Sequence, residues 1–85
     1  MRKITKVELE EFRLDINKWV ATGDDKEDKE MVKTYTADRK DLKKILELIE
    51  SGNYKRASQR IYKLDTLIRD QIPRALYNEI MQYYV

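Results

Sequence analysis

The stretch Leu42-Lys43-Lys44-Ile45-Leu46-Glu47-Leu48-Ile49-Glu50-Ser51-Gly52-Asn53-Tyr54-Lys55-Arg56-Ala57-Ser58-Gln59-Arg60-Ile61 decides the fold. Leu42, Ile45, Leu46 and Ile49 recur at helical spacing, and so do Tyr54, Ala57 and Ile61. Each set builds one apolar stripe on an otherwise charged helix. Between them Ser51-Gly52-Asn53 ends the first helix, because Gly takes the positive φ that follows a last helical turn. So short a turn makes the two helices antiparallel neighbours.

Toward the C-terminus, the pattern predicts a third helix from Tyr54 to about Ile72, with Tyr54, Ala57, Ile61, Leu64, Leu67 and Ile68 on its face. Pro73 ends or kinks it and also suits the first turn of a short fourth helix. That helix carries Leu76, Tyr77, Ile80, Met81, Tyr83 and Tyr84, apolar on much of its circumference, so the core or a partner must cover it.

Toward the N-terminus, the second helix has Val32, Tyr35, Arg39, Leu42, Leu46 and Ile49 on one face. Thr34 and Thr36 are weak helix formers, so the helix either runs through or breaks near Thr36, with Asp38–Glu50 the surer part. Residues 24–30 hold five acidic side chains against two lysines. They read as a solvated loop or as an acidic first turn with Asp24 as cap and Glu27 as its reciprocal partner. The spacing does not fit an EF-hand, and no metal is expected. A first helix is predicted at about 6–21. Thr5-Lys6-Val7-Glu8 forms its capping box, Ile4 and Leu9 a hydrophobic staple, and Gly23 its stop. Leu9, Phe12, Ile16, Trp19 and Val20 supply the stripe. No strand pattern appears. The expectation is a single all-α domain over residues 1–85, a compact antiparallel bundle of three longer helices plus a short C-terminal one.

The chain has 85 residues, no Cys and no His, and a net charge of +2. Thiol chemistry, disulfides and His-based triads are excluded. Carboxylates are plentiful, but none are singled out as a pair. Glu8, Glu11 and Asp15 share a face as residues of any charged helix would. With no phosphate loop and little length to build a deep pocket, a non-enzymatic protein without cofactors is expected. No apolar run is long enough for a membrane span. Met1-Arg2-Lys3-Ile4-Thr5-Lys6 is basic with no apolar run after it, so a cytoplasmic location is expected.

Basic charge concentrates in the third helix. Between Gly52 and Arg74 stand Lys55, Arg56, Arg60, Lys63, Arg69 and Arg74 against Asp65 and Asp70. Arg56, Arg60 and Lys63 form one stripe. Lys55, Arg56, Arg60 and Lys63, with Tyr54 or Tyr62 for stacking and Ser58 and Gln59 for hydrogen bonds, are candidate RNA-binding residues. Such a stripe is equally the wet face of a helix. Tyr77, Tyr83 and Tyr84 are candidate partner-binding residues, because Tyr is favoured in interface hot spots; packing into the core is the alternative. Tyr35, Leu42 and Ile49, at seven-residue spacing, leave self-association open.

Glu50-Ser51-Gly52-Asn53-Tyr54-Lys55-Arg56-Ala57, with Ile61 and Leu64, resembles the turn and second helix of a tetratricopeptide unit. The resemblance spans residues 50–64, has no second copy and implies a tight helical hairpin. The whole chain, short and rich in Lys, Asp, Glu, Tyr and Ile, resembles in style the small accessory proteins of tailed bacteriophages. That resemblance implies a small interaction protein that inhibits a host enzyme, toxin or defence factor. RNA binding through the basic third helix is the alternative.

Overall fold

The computed structural model describes residues 4–84. Helices α1 (Lys6–Lys18), α2 (Lys29–Glu50), α3 (Tyr54–Tyr62), α4 (Thr66–Arg69) and α5 (Arg74–Met81) make an all-α bundle, with a 3-10 turn at Gly23–Glu27 and no strand among the described residues. None of these helices is long and apolar enough to cross a membrane.

α1 starts where its cap predicts. The Thr5 hydroxyl accepts from the Glu8 N–H at 3.3 Å, while Ile4 and Leu9 pack against the core. It ends at Lys18, not near residue 21. Trp19 leaves the helix at ψ 79° and turns its ring onto Tyr35 of α2, with centroids 5.1 Å apart. Val20 therefore drops out of the apolar stripe and is exposed. Gly23 does take positive φ, at +60°, but it opens the 3-10 turn instead of closing α1.

Asp28, not Asp24, caps α2. Its Oδ1 accepts from the N–H groups of Glu30 (2.9 Å) and Met31 (3.4 Å). α2 runs unbroken through the threonines. Thr34 and Thr36 donate their hydroxyls to the carbonyls of Glu30 (3.0 Å) and Val32 (2.8 Å), four residues back, and so stay within the helix. At the far end Gly52, at φ +82°, donates to Ile49 O and Asn53 donates to Leu48 O. These are the two bonds of a Schellman motif. α1 and α2 are antiparallel. Arg13 meets Glu50 at 2.9 Å while Trp19 meets Tyr35, so the partner's number falls as α1 advances.

The third helix is not continuous. α3 stops at Tyr62 and α4 follows as a separate piece, while α5 is the short fourth helix expected after Pro73. Arg69 makes the break affordable: its Nη2 donates to the freed carbonyls of Tyr62 (3.2 Å) and Leu64 (2.7 Å). Leu67, expected on the apolar face, is 72% exposed as a result. Pro73 stands at the N-cap of α5, which folds back onto α3 and buries Leu76 and Ile80. The apolar C-terminal helix is thus covered by the chain itself.

Phe12, Ile16, Leu42, Ile45, Leu46, Ile49, Ala57, Ile61, Ile72, Leu76 and Ile80 form one core. Leu42 and Ile49, two of the three residues at seven-residue spacing, are buried in it, while Tyr35 is half-buried.

Candidate functional site

A groove of about 400 Å³ opens between α2 and α3. Asp41 and Ile45 of α2 form one wall; Arg56, Gln59, Arg60 and Lys63, closed off by Leu64, form the other. The local reason is helical spacing. Ala57 and Ile61 must face inward, and both are fully buried. Residues 56, 60 and 63 then fall along one border of that face, where α3 leans on α2. Three cations are thereby brought to one concave surface. Ion pairs between described residues join Arg13 to Glu10 and Glu50, and Lys44 to Glu47. None of them engages the cations of the groove, whose charge is opposed locally by Asp41 alone among its lining residues.

Asp38, one turn before Asp41, has its carboxyl pushed up chiefly by burial. The nearby Trp19 indole N–H works against this, and the charges of Asp41 and Asp65 add to the rise. That N–H faces Asp38 without a hydrogen bond of good geometry. Of these three carboxylates only Asp41 lines the basic groove.

The other candidate residues separate into distinct environments. Lys55 is exposed and does not line the groove. Ser58 is fully buried and donates to Lys55 O at 2.6 Å, so it is not a surface hydrogen-bonding group. Gln59 is in the groove. Tyr54 and Tyr62 lie outside it and pair with the C-terminal tyrosines. Tyr54 meets Tyr83 at 5.0 Å, tilted by 47°, and Tyr62 stacks on Tyr84 at 4.6 Å and 23°. Tyr83 and Tyr84 are adjacent, whereas Tyr54 and Tyr62 are two turns apart, so the C-terminal segment lies across α3. Each of these four tyrosines thus has a ring contact within the chain. Tyr62 remains 56% exposed. Tyr77 packs partly against the core.

Asp41 and the groove's depth were not visible in sequence, because they need the α2–α3 register. The same holds for an apolar cleft of about 240 Å³ at the opposite end of α2, lined by Trp19, Val20, Val32 and Tyr35 with Lys26 and Arg39 beside them. In α5, Glu79 is buried, and its Oε1 makes no hydrogen bond to a described residue. No family model, no curated protein and no solved structure matches this chain.

Proposed function

We propose that this chain is a small non-enzymatic binding protein whose α2–α3 groove takes the phosphates of RNA. One observation carries the proposal: Arg56, Arg60 and Lys63 converge on a concave surface with no carboxylate paired to them among the described residues. Unpaired cations placed together repel one another, and a bound polyanion relieves that repulsion while releasing its own counterions. Arginine suits the task because its planar fork meets a phosphate with two hydrogen bonds. Gln59 adds a group able to donate to or accept from a sugar or base. Exposed Tyr62, next in sequence to Lys63, offers a ring to an unpaired base.

The test is binding of a fluorescently labelled single-stranded RNA, followed by anisotropy across a salt series. Affinity is expected to fall steeply with salt. Arg56→Ala with Arg60→Ala is expected to weaken it by at least about tenfold, as for loss of charge-assisted contacts, with an unchanged thermal melt. An affinity equal to wild type in a folded double variant overturns the proposal.

A second reading, a protein-directed inhibitor of the kind implied by the likeness to phage accessory proteins, draws support from the apolar cleft at Trp19, Val20, Val32 and Tyr35. Tyr83 and Tyr84 support it less, since their rings are partly engaged by α3. One stoichiometric polypeptide co-purifying without nucleic acid would favour this second reading over the first.

A further inference from the structure

Beyond the break in the third helix lies a second cleft, of about 470 Å³, lined by Thr66, Arg69, Asp70, Ile72, Arg74 and Tyr77. It shares no lining residue with the basic groove, but one hydrogen bond joins the two. Leu64 lines the groove, and its carbonyl accepts from Nη2 of Arg69, which lines the second cleft, at 2.7 Å. Building on the groove proposed above as an RNA site, we infer that the two clefts form one track. Consecutive phosphates of a single-stranded RNA occupy the groove and then the Arg69–Arg74 cleft.

The chemistry of the second cleft is that of a phosphodiester site with sugar contacts. Arg74 is exposed and makes no ion pair with a described residue, so its guanidinium is free to take a phosphate. Arg69 spends Nη2 on the carbonyls of Tyr62 and Leu64, yet its charge stays at the boundary between the two clefts. Asp70 offsets one of the two arginines, leaving the cleft a net cation. Thr66 and Tyr77 bring hydroxyls that can both donate and accept, as a ribose 2′-hydroxyl requires. A single phosphate needs only one of these clefts. Two adjoining cationic clefts joined by one hydrogen bond suit a ligand with one charge per nucleotide.

The experiment uses the full chain and labelled single-stranded RNAs of two to twelve nucleotides, with Arg74→Gln, Tyr77→Phe and the Arg56→Ala/Arg60→Ala pair. Arg69 is left intact because it holds the turn after α3. Affinity is expected to climb with length until both clefts are filled. Arg74→Gln is expected to cost about tenfold for the longest RNA, with a salt slope shallower by about 0.7, and to leave the dinucleotide unchanged. Tyr77→Phe is expected to narrow the preference for RNA over DNA of the same sequence. Backbone amide shifts at Thr66, Asp70 and Arg74 are expected to move with the long RNA and not with the dinucleotide. Wild-type affinity of Arg74→Gln at every length, with those amides unmoved, overturns the second cleft while leaving the first standing. Wild-type affinity of Arg56→Ala/Arg60→Ala overturns the groove itself. Tripolyphosphate competing as well as RNA of equal charge overturns RNA as the ligand class.

Discussion

Arg69 is the residue that lets the chain turn after α3. A helix that stops leaves carbonyls without partners, and one guanidinium answers that of Tyr62, seven residues upstream, together with that of Leu64 just beyond the helix. At the same scale, Asp38 carries a pH dependence of stability. Burial raises its carboxyl above the ordinary value, aided by Asp41 and Asp65 and opposed by the Trp19 N–H. The folded chain therefore holds that proton more tightly than the unfolded chain does. Stability is favoured below the unfolded value and declines as pH rises from there through the raised one. Asp38→Asn keeps an acceptor near Trp19 and removes the charge. Its urea midpoint is expected to exceed wild type at pH 7 and to converge with it in acid, as read from parallel denaturation series. A midpoint below wild type at pH 7 would show that the charge is stabilising in place.

Helix ends follow local rules, and α2 shows both kinds. Asp28 answers the N–H groups at its start, and Gly52 turns the chain at its end. A Cβ at Gly52 would meet nothing within 4 Å, so the cost of Gly52→Ala is purely that of φ +82°. About 1 kcal/mol of destabilisation is expected, with Gly52→Asn milder, both measurable by urea unfolding. A loss well above that would mean that the turn also sets the register of α3 on α2. α3 and α4 differ from the single helix predicted over Tyr54 to about Ile72 for a physical reason. The 3.6-residue pattern continues through Leu64, Leu67 and Ile68, yet a straight helix to Ile72 would carry Ile72, and with it the fourth helix that follows Pro73, away from the core that Ile72, Leu76 and Ile80 fill. Breaking after Tyr62 folds those residues back, and only Leu67 loses its cover.

Across the whole molecule, charge and aromatic rings divide the surface. The acidic residues of 24–30 sit around the start of α2, and Lys55, Arg56, Arg60 and Lys63 sit along α3 and its end. The C-terminal segment is fastened across α3 by Tyr54–Tyr83 and Tyr62–Tyr84. Tyr83→Ala with Tyr84→Ala is expected to cost roughly 1–3 kcal/mol, from two aromatic pairs at about 0.5–1.5 kcal/mol each, read as a lower melting temperature. Full stability in that variant would leave the tyrosines available to a partner, as their place in the sequence first suggested.

The all-α class, the hairpin between α2 and α3, the cap at Thr5, the turn at Gly52 and the inward position of Ala57 were all determined by the sequence itself. Each depends on neighbours within about one helical turn, and helical spacing reports such neighbours directly. The Arg56, Arg60 and Lys63 stripe was legible for the same reason. Tertiary structure alone decided that this stripe borders a groove with Asp41, that Ser58 is buried, that the tyrosines pair with each other and that the third helix breaks. Those outcomes rest on contacts between residues distant in the chain. The periodicity of a single helix carries no record of what will pack against it.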